Sequence, residues 1–474
     1  MSARELDPLR EHAMRTPEAP ALRCGETIFT YAVLDAYAQR LKQQFGDAGI
    51  GDGVRVGVMM AASAASVATL FALLRLKAVA VCLNVRNPDD VLVAQLRALD
   101  AERVIVDVEN QRELHGATLL TCSPDVDDGL ESAASLTPIS IDEDQPATAV
   151  YTSGSSAAPK AALHSVGNHL AAARASNAYN GLGPGDVWLL SLPCFHVAGL
   201  GIVFRCMTAG ATIAISDREN VLAALSHEHV THLSLVPAQL LRLLDDLVEA
   251  PQPLSLKSVL VGGAACAPSL MQRAVDAGLP ACRTYGMTEM TSQIATAASP
   301  NSGARALAGV EVRLSGDGEI EVRGPSLFLG YMTPRGLQRP LTADGWFRTG
   351  DMGEISTSGD LRVIGRVDNM FVSGGENIQP EEVERVLCSV PGVRRAVVVP
   401  IADPEFGQRP CAFIQGDDEA FDSTQLAAAL EALLPRYKHP VHYLGWPDAR
   451  GSDDSLKIDR KGMRHRATAA LKTR

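Results

Sequence analysis

The sequence predicts an α/β protein: a large N-terminal domain of mostly parallel sheets and helices carrying a small β-rich subdomain, then a small α+β C-terminal domain. Three observations support this. Helical and strand-like patterns alternate as far as Val261, period-two alternation takes over after Gly309, and a new helix and strand series begins beyond Asp368. The first pattern is that of helices packed on a mostly parallel sheet.

In chain order, Val33, Tyr37, Leu41 and Phe45 recur every four residues and form one helix stripe. Val54 to Met59 reads as a strand, and the run that follows reads as a core helix. From Gly57 to Leu74 there are 18 residues without a charge, which is long enough to span a bilayer. The run is rich in Ala and Ser and leads into Arg75 and Lys77, so a buried strand and helix are expected, and no membrane span. Further strands are expected at Val187 to Leu192, Ala211 to Ile215, Leu233 to Val236 and Ser258 to Val261. Gly262-Gly263 then closes a strand, at the kind of turn where open α/β sheets bind ligands.

Val310 to Leu314 and Glu319 to Arg323 alternate around Gly316-Asp317-Gly318 and predict a hairpin. A strand at Leu361 to Ile364 precedes the expected boundary, which divides the chain into residues 1–367 and 368–474. Beyond it come a helix (Glu381 to Leu387), two strands (Arg395 to Val399, Cys411 to Gln415), a helix (Gln425 to Leu434) and a strand (Val441 to Leu444).

Composition narrows the function classes. With 474 residues, 46% of them hydrophobic, the chain has material for more than one core. A net charge of −12 argues against a nucleic-acid partner, and the only basic cluster runs from Lys457 to Arg474. Nine cysteines lie scattered without C-x-x-C or metal-ligand spacing, which suits a reducing, cytoplasmic setting. The N-terminus is charged from Arg4 and lacks the apolar core of a secretory signal. The sequence does not fix the oligomeric state and leaves a homo-oligomer open.

The most informative segment chemically is Thr152-Ser153-Gly154-Ser155-Ser156-Ala157-Ala158-Pro159-Lys160, entered from the apolar run Ala147 to Tyr151. Its hydroxyls, glycine and lysine suit an anion with several oxygens. It is not a Walker A loop, because Pro159 and Ala161 stand where glycine and Ser/Thr are needed. Nor is it a nucleophile elbow, because Ala158 replaces the final glycine. The plain alternative is a solvated connection. Three later turns supply complementary groups: Tyr285-Gly286-Met287-Thr288-Glu289, Thr349-Gly350-Asp351 and Gly365-Arg366-Val367-Asp368. Taken singly, Tyr285 reads as core, Glu289 as a first-turn helix residue and Asp351 as turn chemistry.

Together and in this order, these segments resemble the acyl-adenylate-forming superfamily of acyl-CoA synthetases, luciferases and adenylation domains. The resemblance covers nearly the whole chain and adds the C-terminal lysine motif Leu456-Lys457-Ile458-Asp459-Arg460-Lys461. Within the superfamily, Leu192 to Gly201, Tyr285 to Ile294, Ser373 to Glu382 and Tyr437 to His442 resemble the 2-succinylbenzoate-CoA ligases of menaquinone biosynthesis.

The resemblance implies an ATP-dependent acid-thiol ligase that works through an acyl-adenylate, with Mg2+ as cofactor and CoA as co-substrate. Thr152, Ser153, Gly154, Ser155, Ser156 and Lys160 would hold phosphates; Gly262, Gly263 and Tyr285 would form the adenine slot, and Gly286 and Thr288 would also bind the ATP or AMP. Asp351 and Arg366 would hold the ribose, and Glu289 the Mg2+. Lys457, Thr288 and His196 would be catalytic, with Asp368 as hinge of a mobile C-terminal domain and Gly374 and Gly375 on the CoA path. His196 and Arg86 are candidates for the acyl pocket, and Arg205 is a further one for a second substrate carboxylate. Two departures stand out: Ala157 where the superfamily usually has glycine, and Leu456 before the lysine, which makes Lys461 the fallback for Lys457. Other readings are a different aryl- or fatty-acyl-CoA ligase, an enzyme loading a carrier-protein thiol, or a nucleotide-binding protein without catalysis.

Overall fold

The computed structural model describes residues 4–108, 110–122, 136–152, 160–216, 221–251, 254–299, 302–416, 423–447 and 459–472. Two large mixed sheets dominate. One has eight strands, and its parallel part runs through Pro146–Tyr151, Val79–Cys82, Arg55–Met59, Arg103–Asp107 and Thr118–Cys122. Ala161–Ser165, Gly330–Thr333 and Gly336–Gln338 extend it in antiparallel fashion. The other has nine strands, with Ala281–Met287, Ser258–Val261, His232–Leu235, Val187–Leu189, Thr212–Ile215 and Pro20–Cys24 parallel in that order.

Local sequence explains the helices between these sheets. Ser63 and Ser66 form a reciprocal capping box that starts Ala64–Arg75, and every residue from Ala64 to Leu74 except Ser66 is buried. The uncharged run is therefore a buried strand and core helix, as its composition predicts. Among the described residues no helix is long and apolar enough to cross a membrane. The helix ends on Arg75, whose guanidinium is fully buried against Asp7 at 2.7 Å and Asp35 at 2.5 Å. Ser165 and Asn168 form a second capping box for Val166–Asn180, which stops at Gly181 in the left-handed conformation.

The expected hairpin is present as Glu311–Leu314 paired with Glu319–Arg323, continued by Phe347–Ile355 and Leu361–Arg366 into a four-stranded antiparallel sheet. The strand expected at Val187 to Leu192 stops at Leu189, because Ser191 to Phe195 turns toward the helix Val197–Ala209. Beyond Phe371 the described residues pack cores of their own around Val383, Leu387, Val398, Leu426 and Leu430 on one face of a three-stranded sheet, and Val397, Val399, Phe413 and Met463 on the other. Helix Pro380–Leu387, strands Val393–Asp403 and Gly407–Gly416, helix Ser423–Leu433 and strand His442–Gly445 follow the expected order.

Candidate active site

The loop from Thr152 to Lys160 joins two antiparallel strands, with Tyr151 opposite Ala161 and the Thr152 N–H donating to the Lys160 carbonyl at 3.2 Å. A strand, not a helix, thus follows the loop, which separates it structurally from the Walker A arrangement. Ser153, Gly154, Ser155, Ser156, Ala157, Ala158 and Pro159 lie outside the described residues, as does Lys457.

Among the described residues the fold assembles two polar clusters. In the first, Asp351 and Arg366 are register partners on neighbouring antiparallel strands. Arg366 Nη1 donates to Asp351 Oδ1 at 3.0 Å, and the Tyr285 hydroxyl donates to Asp351 Oδ2 at 2.7 Å. Burial raises the Asp351 carboxyl; the bond from Tyr285 and the charge of Arg366 oppose the rise. The Tyr285 phenol is pushed well up, chiefly by desolvation and also by Asp351. Gly350 sits at φ +74°, and a Cβ there would stand 2.8 Å from Arg366 Nη2, so the Thr349-Gly350-Asp351 turn needs its glycine. The need is stricter at Gly286, where a Cβ would lie 1.8 Å from the Ser292 carbonyl oxygen.

The second cluster surrounds Thr288 and Glu289, which form a short 3₁₀ turn between strands Ala281–Met287 and Ser292–Ala297. His164 Nε2 donates to the Thr288 carbonyl at 2.7 Å. That bond places the proton on Nε2, so Nδ1 is the acceptor facing the Thr148 hydroxyl at 3.4 Å. The buried Glu289 carboxylate accepts a bond from the Tyr331 hydroxyl at 2.5 Å, and its carbonyl accepts from the Phe328 N–H at 2.8 Å. Lys160 Nζ lies 5.8 Å from the centre of the Tyr331 ring, within cation–π range. The sequence reading passes over both His164 and Tyr331. The available signal was a polar ring in each of two otherwise small or apolar strands.

Among the described residues no three His, Cys, Asp or Glu side chains gather into a metal cage. One buried carboxylate still fits Mg2+, which commonly takes one or two carboxylates and shares its remaining positions between water and a nucleotide's phosphates.

A third feature lies on the helix Val197–Ala209, whose N-cap is His196. The half-buried His196 ring meets Phe195 edge-on at 4.7 Å. Arg205, on the same helix, is 3% exposed. Its guanidinium lies 5.1 Å above the Trp188 ring and donates to Ser292 Oγ at 3.2 Å, while Nε has no hydrogen-bond partner. Burial lowers its pKa to about 10, and no carboxylate contributes to the shift. Arg86, by contrast, is exposed on the turn after Val79–Cys82.

The remaining predicted residues are dispersed. Gly262 and Gly263 follow Ser258–Val261, and the Gly262 N–H donates to the Leu235 carbonyl at 3.0 Å. Asp368 is largely exposed, 3.6 Å from Arg366. Gly374 and Gly375 turn between Phe371–Ser373 and Glu376–Ile378. Lys461 is exposed on helix Arg460–Lys472, while its neighbour Arg460 is clamped to buried Glu384 at 2.5 Å.

Residues 9–332 match the AMP-binding enzyme family, and residues 382–446 match the AMP-binding enzyme C-terminal domain. The chain is 33% identical to 2-succinylbenzoate–CoA ligase of Salmonella typhimurium, over 96% of both proteins. In structure it is similar to o-succinylbenzoate CoA synthetase of Bacillus subtilis in complex with the acyl-adenylate intermediate, at a TM-score of 0.84, 28% identity and 98% coverage of each chain. The Bacillus subtilis enzyme in complex with ATP and magnesium ion gives a TM-score of 0.81 at 29% identity, covering 94% of this chain and 96% of that one. With the family match and the likeness over 96% of both proteins, the chain belongs to the AMP-binding enzyme family, among the 2-succinylbenzoate–CoA ligases.

Proposed function

We propose that this protein converts 2-succinylbenzoate, ATP and CoA into 2-succinylbenzoyl-CoA, AMP and diphosphate, a ligase step of menaquinone biosynthesis. The observation that carries the substrate assignment is Arg205. A guanidinium buried without a carboxylate is costly, and an acid that keeps a second carboxylate after activation would compensate it. Arg205 lies against Ser292, four residues beyond Thr288, and on the helix that His196 caps. Arg86, being exposed, is the weaker candidate for the same role.

The chemistry has two steps. A carboxylate oxygen attacks the α-phosphorus of ATP and expels diphosphate. The CoA sulfur then attacks the acyl carbon, forming C–S as the C–O bond to AMP breaks. The first step joins two anions, so donors must be aimed at the charge that develops. In this reading the Thr152–Lys160 loop takes the β- and γ-phosphates, and Lys457 and Thr288 face the α-phosphate. Mg2+ held by Glu289 would neutralise phosphate charge when bound. Asp351 accepts from the ribose hydroxyls with Arg366 beside it, and Gly262, Gly263 and Tyr285 enclose the adenine. His196 stands beside the acyl group. A boundary at residue 368 gives a C-terminal domain that turns about Asp368, withdrawing Lys457 and bringing Gly374 and Gly375 to the thiol's path. Nine free cysteines favour a cytoplasmic setting.

A panel of acids tested for ATP- and CoA-dependent thioester formation decides the substrate. Preference for a fatty acid or plain benzoate would overturn the assignment while leaving the ligase chemistry in place. AMP release accelerated by a carrier protein but indifferent to CoA would favour the carrier-loading reading. Lys457→Ala is expected to lower adenylation by roughly 10²-fold or more while sparing thioester formation from preformed acyl-adenylate. Equal loss in both half-reactions would argue against a lysine that serves only the first.

A further inference from the structure

We infer that Tyr331 is a positioning residue for magnesium–nucleotide binding, fixing the Glu289 carboxylate and the Lys160 end of the phosphate loop through one side chain. The inference rests on the proposed role of Glu289 as the metal ligand and deepens it. Tyr331 lies on Gly330–Thr333, which pairs with Ala161–Ser165, the strand leaving the loop; its register partner is Ala162, two residues after Lys160. From there its hydroxyl reaches Glu289 Oε1 at 2.5 Å, and its ring lies 5.8 Å from Lys160 Nζ.

The geometry restricts a carboxylate that would otherwise turn freely about its terminal torsion. A Glu held by a donor at one oxygen presents the other in one direction, and partners of this kind typically govern 10- to 100-fold in metal affinity or activity. The Phe328 N–H fixes the Glu289 backbone from the same segment, and the Phe328 ring packs edge-on against Tyr331 at 4.8 Å. The strand that carries the phenol is therefore tied both to the strand Ala161–Ser165 that leaves the loop and to the 288–290 turn.

The test uses the full chain and two probes in calorimetry: AMP without metal, and α,β-methylene-ATP titrated at increasing Mg2+. Tyr331→Phe keeps the ring beneath Lys160 and removes only the hydroxyl. It is expected to raise the Mg2+ concentration needed for half-maximal analogue binding by about 10-fold, with AMP affinity unchanged. Glu289→Gln is run alongside and should shift the same dependence at least as far. If Glu289→Gln shifts it and Tyr331→Phe does not, the inference is overturned and the metal role of Glu289 stands. If Glu289→Gln leaves it unmoved, the metal role fails, and the inference with it. Loss of AMP affinity in Tyr331→Phe would also overturn the inference, because the phenol would then be supporting the whole pocket and not one carboxylate.

Discussion

Two buried arginines, Arg75 and Arg205, stand in opposite electrostatic conditions. Arg75 closes the helix Ala64–Arg75 with its guanidinium wholly buried between Asp7 and Asp35, and Asp35 is shared with Arg10 at 3.0 Å. Every charge in that group has a partner within the chain, and the pKa of Arg75 is raised because the two carboxylates outweigh its burial. Arg205 is almost as deeply buried, yet it rests on a ring face and a single hydroxyl, and burial lowers its pKa. One site is complete as folded. The other keeps a cation at a cost that folding alone does not repay, and its proposed role toward a second carboxylate rests on that difference.

The contrast can be broken or sharpened by experiment. The largest effect is expected from Arg75→Ala, which leaves Asp7 and Asp35 buried with Arg10 as their remaining cation. Urea denaturation should show a loss of about 3–5 kcal/mol. A loss below about 1 kcal/mol would mean that the network contributes little, and the comparison would fail on that side.

Next comes acid sensitivity at another complete group, His164, which pairs with Thr148 and the Thr288 carbonyl. Burial depresses its pKa from 6.5 to about 4. The unfolded chain therefore binds the proton more readily, so the stability contributed by the neutral ring is full above pH 6.5 and is lost as pH falls toward 4. The loss amounts to roughly 3 kcal/mol at most. His169, shifted the same way by burial and by His164, adds to it. Denaturation curves at pH 7 and pH 4.5 should show a smaller decline in His164→Gln; an unchanged decline would assign the acid sensitivity elsewhere.

Arg205→Leu should lower kcat/KM for 2-succinylbenzoate by about 10²-fold, equivalent to about 2.7 kcal/mol. An analogue lacking the spectator carboxylate should react at nearly its former rate. Equal losses on both acids would remove Arg205 from substrate recognition. The smallest effect is the most telling: the stability of Arg205→Leu should be unchanged or higher by about 1 kcal/mol, because an apolar residue there relieves an unpaired buried charge.

The sequence made one of these arginines legible and hid the other. Arg75 served only to end an apolar run, because Asp7 and Asp35 lie far from it in the chain and nothing local announces the network. Arg205 was named only as one of two candidates for a second substrate carboxylate, and sequence alone could not rank it against Arg86. Helices and hairpins were readable because their causes are local: the four-residue stripe from Val33 to Phe45, or Gly316-Asp317-Gly318 between alternating strands. The contacts of Tyr331 and His164 were not, since each depends on strand register between segments 42 and 124 residues apart. Periodicity says that a side chain lies on a face; it does not say what that face meets.

The stitched base of the Thr152–Lys160 loop has a consequence for how such sites diversify. Its two stems are locked into the sheet, with Tyr151 against Ala161 and Thr152 bonded to Lys160. The segment between them can therefore be replaced without altering the register of the flanking strands. Glycine introduced at Ala157 or Ala158 is therefore expected to leave the register of the two flanking strands unchanged.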